Sequence, residues 1–211
     1  HFLGAGPESW HPRPEIFYRE GGGPLLDMGP YYVTILACLL GSVSAVTGFN
    51  GSRGSLRDLV QGPLKGQKLS AEVPTHCCGL LQFETGAIAS LITSFDFSQL
   101  DEASIRVYGT RGILLISDPE SYTGRVEIQT AGAESRFLIY DSREMGPLAR
   151  GLGLVDLSRA VRGKGICHAS AELACHVLEV LQAVSLAGDT GRAVKITTPC
   201  PSSAALRWDS I

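Results

Sequence analysis

The sequence predicts an α+β fold: one mixed, largely antiparallel sheet with helices packed on one face. Two observations carry that prediction. Apolar residues recur at three and four positions only near residue 35, between 148 and 162, and between 169 and 186, which is helical periodicity. Between the first and second of these regions lie short β-rich runs separated by glycine-containing turns, and strands joined by tight turns pair antiparallel. At 211 residues the chain is long enough to bury a core as a single domain, residues 1–211.

The elements follow in order. The first thirty residues hold Pro7, Pro12, Pro14, Pro24 and Pro30 and the run Gly21-Gly22-Gly23, a composition that forbids regular structure until Asp27 or later. A short apolar helix is expected over 30–40, with Pro30 in its first turn, Asp27 near the positive end of its dipole and Gly41 as its stop. Residues 44–50 read as a strand. Residues 51–68, rich in Gly, Ser and Arg, read as a mobile loop with little to bury. Residues 75–83, the turn Glu84-Thr85-Gly86 and residues 87–97 make a hairpin, and 103–108, the turn 109–112 and 113–117 make another. Two weaker strands (125–130 and 136–140), helices over 148–162 and 169–186, and a last strand over 193–197 complete the set.

In the first hairpin both faces carry apolar residues, Leu81, Phe83 and Leu91 against Leu80, Ile88 and Ile92. If helices cover one face, the other needs a partner, and a homodimer or higher homo-oligomer is the expectation.

Composition excludes several classes of function. The formal net charge is −3 with Lys and Arg scattered, so neither nucleic acid nor an anionic membrane is an expected partner. The longest apolar stretch, 31–40, is interrupted by Thr34 and reaches about half of the roughly 20 residues a bilayer span needs. The six cysteines lack the density of a disulfide scaffold, and reduced thiols in a cytoplasmic protein fit them better. The chain begins at His1 without Met and reads as a fragment.

The segment Gly21-Gly22-Gly23-Pro24-Leu25-Leu26-Asp27-Met28-Gly29-Pro30-Tyr31-Tyr32 carries the strongest chemical signal. Asp27 and Tyr31, four residues apart, share a helix face and set an acceptor beside a phenolic donor, a pair suited to moving the proton of a substrate hydroxyl. The plain alternative is that Asp27 caps the helix and Tyr31 packs. The glycine run is not a dinucleotide fingerprint, because no strand precedes it and the GxGxxG spacing is absent. His168, Glu172 and His176 recur at every fourth position, a spacing a metal site uses, but Cys167 and Cys175 beside them fit a buried helix equally well and no metal is expected. Cys77 and Cys78, successive in a strand, point to opposite faces and so are not a joint metal or redox site.

The stretch Glu8-Ser9-Trp10-His11-Pro12, then Phe17-Tyr18, then Gly21 through Thr34 resembles the C-terminal domain of the Gfo/Idh/MocA family, which includes glucose-fructose oxidoreductase and inositol dehydrogenase. The similarity continues through Glu72-Val73-Pro74-Thr75-His76, residues 83–94, Tyr108-Gly109-Thr110, Arg150-Gly151-Leu152-Gly153 and His168 to Glu179. The resemblance implies a dihydrodipicolinate-reductase-like domain for substrate binding and oligomerisation. It also implies a separate N-terminal Rossmann domain, absent from this chain, that binds NAD or NADP and supplies a Lys.

The implied activity is oxidation or reduction at a hydroxyl or carbonyl of a sugar, polyol or related small molecule, with this chain inactive alone. Asp27 matches the Asp of the family's motif. Tyr31 stands where most members have an acid/base His, a variant that resembles glucose-fructose oxidoreductase and the dihydrodiol dehydrogenases. Trp10, His11 and His176 are the expected substrate-binding residues, with a surface-loop role the alternative for His11. A non-catalytic sugar sensor on the same fold is the rival reading.

Overall fold

The computed structural model describes residues 1–54, 56–97, 105–120, 124–141 and 151–201. Residues 103–104 and 148–150, at the starts of a predicted strand and helix, lie outside them. The described chain divides into two compact units, one built from residues 1–101 and 171–202, the other from 102–170 and 203–211.

In the first unit, strands β1 (Phe2–Leu3), β2 (Val43–Gly51), β5 (His76–Phe83), β6 (Ile88–Ser94) and β11 (Val194–Lys195) form a sheet in the order β1-β6-β5-β2-β11. The pair β1–β6 is parallel and the other three are antiparallel. Helices α1 (Gly23–Leu40) and α3 (Ala171–Thr190) pack on each other and cover one face. Val46, Cys77, Leu81, Phe83 and Leu91 are buried beneath them. Both helices are long and apolar enough to cross a membrane by length and composition, and the core they bury accounts for that apolarity.

Close approach is made by glycine. Gly48 and Gly79 are paired across β2 and β5, and a Cβ on Gly48 would sit 3.1 Å from the Val184 carbonyl oxygen and one on Gly79 3.0 Å from Val184 Cγ1. A Cβ on Gly29 would lie 2.5 Å from Leu181 Cδ2, so the same device seats α1 against α3.

Helix α1 starts at Gly23, seven residues before the predicted start at Pro30. Pro24 occupies the first turn, where its missing N–H costs nothing. Pro30 sits inside the helix, where it removes one ladder bond at a cost of about 3 kcal/mol in isolation. Burial of Leu25, Met28 and Gly29 offsets that loss, a balance local proline rules do not contain.

The predicted mobile loop 51–68 is a second correction. It contains β3 (Leu56–Asp58), which pairs antiparallel with β4 (Lys68–Ser70) in a two-stranded ribbon. Leu59 is 4% and Arg57 8% exposed, so this segment does bury side chains. The reason is long-range: Arg57 finds carboxylates distant in sequence, as described below.

The second unit holds β7 (Ile105–Gly109), β8 (Gly112–Ile116), β9 (Arg125–Thr130) and β10 (Phe137–Asp141) in an antiparallel meander, together with α2 (Leu152–Val161). The class is α+β as predicted. The strands expected in one sheet are hydrogen-bonded, among the described residues, as two sheets and the ribbon.

Candidate functional site

Helix α1 carries Asp27 and Tyr31 one turn apart, on the same face. Asp27 is half-buried and Tyr31 42% exposed, while the adjacent Tyr32 is only 1% exposed. Successive helical residues differ in direction by about 100°, so one tyrosine reaches the surface and the other packs in the core. The N-terminus of α1 requires Gly23: its φ is +84°, and a Cβ there would lie 3.1 Å from the Pro74 carbonyl oxygen.

Ahead of α1 the chain makes two 3₁₀ turns, Pro7–Ser9 and Pro14–Tyr18, each with proline where a free N–H is not needed. Trp10 and His11, between the turns, form with Phe17 of the second turn an aromatic cluster with edge-to-face ring centroids 5.0 to 5.9 Å apart. Trp10 is 56% exposed. His11 Nδ1 accepts the backbone N–H of Arg13 at 3.1 Å, which leaves the neutral ring's proton on Nε2, a donor on the opposite edge. An exposed aromatic face beside a fixed N–H donor suits a small polyhydroxylated ligand, whose C–H face stacks while a hydroxyl accepts.

Beneath this loop lies a charged cluster that sequence reasoning missed. Arg57 reaches Glu8 Oε1 from Nε at 3.1 Å and from Nη2 at 3.0 Å, Asp96 Oδ1 from Nη1 at 2.6 Å, and the Phe95 carbonyl from Nη2 at 2.8 Å. Thr75 donates to the other Asp96 oxygen at 2.8 Å. Tyr18 donates its hydroxyl to Glu8 Oε2 and lies under the guanidinium, 5.4 Å from its ring centroid. Burial and the Glu8 carboxylate push the Tyr18 hydroxyl well above the ordinary range, so this phenol stays protonated. Burial works against the Arg57 charge, but the Asp96 and Glu8 carboxylates it pairs with outweigh it and hold the pKa above its usual value. A buried Arg with two carboxylates is a paired charge. Its signal in the sequence was only the resemblance of the Glu8 segment, with nothing to mark Arg57.

His176, expected to contact substrate, is a correction. It is fully buried, its Nε2 accepting the Val43 N–H at 3.1 Å and its Nδ1 donating to the Thr198 carbonyl at 2.8 Å. It joins α3 to the start of β2 as a satisfied core histidine. Nor are His168, Glu172 and His176 three ligands on one helix face. Helix α3 begins at Ala171, so His168 precedes it, and its Nδ1 pairs with Asp156 Oδ1 at 2.7 Å. Cys77 and Cys78 do point to opposite faces of β5, Cys77 buried with its thiol pushed up to about 12 by that burial. All six cysteines are free.

No dinucleotide cradle fits these residues. The glycine run enters α1 from a 3₁₀ turn rather than from a strand, and β1–β6 is the one parallel pairing among the described residues, whereas a phosphate-binding fingerprint joins a strand of a parallel sheet to a helix.

Several solved structures share the fold. Levoglucosan dehydrogenase in complex with NADH and L-sorbose superposes with a TM-score of 0.70 at 18% identity, over 93% of this chain and 57% of that one. An oxidoreductase domain protein from Kribbella flavida gives 0.68 at 18% identity over 93% and 56%. Aldose-aldose oxidoreductase from Caulobacter crescentus, complexed with glycerol, gives 0.63 at 23% over 83% and 48%. The chain thus spans about half the length of these proteins, 48% to 57%. No curated protein matches it in sequence. The profile of the GFO/IDH/MocA C-terminal domain matches residues 1–115, more than half of the 211, and it establishes that the chain belongs to the GFO/IDH/MocA oxidoreductase family as its C-terminal domain.

Proposed function

We propose that this chain is the substrate-side domain of an NAD(P)-dependent dehydrogenase or reductase acting on a CH–OH or carbonyl group of a sugar, polyol or related small molecule. The observation that carries this reading is the presentation of Tyr31 on α1, one turn from Asp27, while Tyr32 beside it is spent on the core. The sugar and NADH in the levoglucosan dehydrogenase complex and the glycerol in the aldose-aldose enzyme support the substrate class and the cofactor. A nicotinamide, held by a domain outside this sequence, supplies the two-electron acceptor or donor in such chemistry.

The residues here handle the proton. In the oxidation direction the substrate O–H bond breaks and its proton passes to the Tyr31 phenolate, and in reduction it returns. A free tyrosine has a pKa near 10, so the role needs a cation beside Tyr31, and the family resemblance assigns that cation to a Lys of the nucleotide domain. Asp27 orients the hydroxyl pair as an acceptor, and Trp10 with His11 holds the substrate ring. Six free thiols favour a reducing, cytoplasmic location.

Tyr31→Phe in the full-length protein is expected to cut turnover on the identified substrate about 10²-fold or more, the usual worth of general acid/base catalysis, while Tyr32→Phe leaves it near wild type. Equal turnover in both variants removes Tyr31 from the mechanism.

The same reading includes a homo-oligomer through the uncovered face of the five-stranded sheet. Phe49 is 75%, Leu80 52% and Ile88 73% exposed there, apolar side chains suited to burial against a two-fold copy of the same face. Light scattering is expected to return at least a dimer at tens of micromolar protein, and Leu80→Glu to return a monomer; a wild-type monomer contradicts this part.

A further inference from the structure

We propose that the β3–β4 ribbon is a clamp that holds the aromatic loop of residues 7–12 in place, with Arg57 and Gln61 as positioning residues that touch no ligand themselves. The proposal rests on the reading of Trp10 and His11 as the ligand platform. What the ribbon does to the loop, however, is legible apart from what the loop binds.

The ribbon grips the loop at successive points. Arg57 holds the Glu8 carboxylate through two of its nitrogens, the Val60 N–H donates to the Glu8 carbonyl at 3.4 Å, and Gln61 Nε2 donates to the Ser9 carbonyl at 2.6 Å. Gly62, with φ +79°, lies so close that a Cβ on it would sit 2.8 Å from the Pro12 carbonyl oxygen. Trp10 and His11 fall between these held positions. They belong to a loop with no strand neighbour of its own, so without the ribbon only the short 3₁₀ turns restrain it.

The ribbon is in turn anchored to the frame of the unit. Arg57 pairs with Asp96 two residues past β6, and Leu69 packs against the cluster of Tyr18, Met28 and Phe95. Met28 adjoins Asp27 on α1, so one apolar cluster references both the aromatic loop and the catalytic helix. An exposed tryptophan on an unheld loop loses its freedom when a ligand stacks on it, and weaker binding follows. A clamp removes that loss beforehand. This assigns a purpose to burying an Arg between two carboxylates in a segment of otherwise polar, glycine-rich composition.

The test uses this chain with Trp208→Phe, so that Trp10 is its single tryptophan. Gln61→Ala removes one exposed amide, and Arg57→Lys keeps the charge while losing the forked geometry. Fluorescence anisotropy decay and acrylamide quenching report Trp10, urea unfolding reports the whole fold, and L-sorbose titration reports binding. Gln61→Ala is expected to raise Trp10 quenching about twofold with an unchanged unfolding midpoint and to weaken L-sorbose several-fold. Arg57→Lys is expected to do both more strongly.

Unchanged Trp10 mobility in Gln61→Ala and Arg57→Lys overturns the clamp whatever the sugar does. A Trp10 that loosens only in step with a lowered midpoint overturns it too, since a merely structural role predicts that pattern. Increased mobility with L-sorbose affinity unmoved, while Trp10→Ala abolishes binding, leaves the platform reading intact and rejects the positioning role. If wild type fails to bind L-sorbose, or Trp10→Ala binds it equally, the platform reading fails and the proposal falls with it.

Discussion

The two units of the chain solve the burial problem differently. In the first, α1 and α3 cover a sheet whose inner face holds Val46, Leu81, Phe83 and Leu91, and Val180 and Val184 of α3 are fully buried. In the second, Ile105 is the one buried hydrophobic residue among those described, while Tyr108, Phe137, Leu138, Ile139, Leu154, Leu157 and Val161 are exposed. No residue of α2 is buried. The first unit therefore carries its own hydrophobic stabilisation, and the second, with similar apolar sequence, leaves that apolar surface uncovered. Apolar residues in strands and helices are a necessary condition for a core and not a sufficient one.

The sharpest way to break this contrast is a pair of leucines. Leu181→Ala removes a 1% exposed side chain that seats α1 on α3, and Leu138→Ala a 50% exposed one on β10. The first is expected to lower unfolding free energy by about 2–5 kcal/mol, the second by no more than about 0.5 kcal/mol, measured by urea denaturation of the chain. Equal losses in the two variants mean that the second unit has a core after all.

A pair of histidines sharpens it at smaller amplitude. His176→Ala strands the Val43 N–H and the Thr198 carbonyl inside the first unit, at a cost of about 3 kcal/mol. His168→Ala removes one part-buried hydrogen bond between its ring and Asp156 and is expected to cost about 1 kcal/mol. The same denaturation experiment reads both, and a reversal of the order contradicts the burial assignments.

The smallest expected effect is on pH dependence. Glu179 accepts the N–H and hydroxyl groups of both Thr197 and Thr198, and these bonds, Thr198 foremost, hold its carboxyl down to about 2. Its folded pKa lies below its unfolded one, so its contribution is complete above the ordinary value of 4.5 and is lost as pH falls from there toward 2. Glu179→Gln should flatten the stability profile over that window and, above pH 6, lower it by a constant amount without changing its slope. Asp156 is shifted in the same direction, by its hydrogen bonds from His168, so Asp156→Asn is the matched change in the second unit. A steeper acid limb in Glu179→Gln than in wild type means the assigned bonds are wrong.

Much of this fold was legible before any coordinates. The turn Glu84-Thr85-Gly86, the hairpin it closes, the second hairpin around Gly109 and Gly112, and the strand Arg125–Thr130 lie where alternation and glycine place them, because each signal is contained within a few neighbouring residues. The four-residue step from Asp27 to Tyr31 was legible too, but the pair lies within one helix because α1 opens at Gly23 rather than at Pro30.

What tertiary structure alone decided are the contacts between residues far apart in sequence. Arg57 is 49 positions from Glu8 and 39 from Asp96, and nothing within its own segment marks it as buried. His176 reaches Val43 across 133 positions, which turned a helix-face histidine into a core one. Pro30 lies inside α1 because Leu181 of another helix closes on Gly29, a packing gain that outweighs the local cost of proline. Local periodicity and turn chemistry determine which elements form, whereas the choice of which polar groups are buried, and against what, depends on partners that only the folded chain brings together.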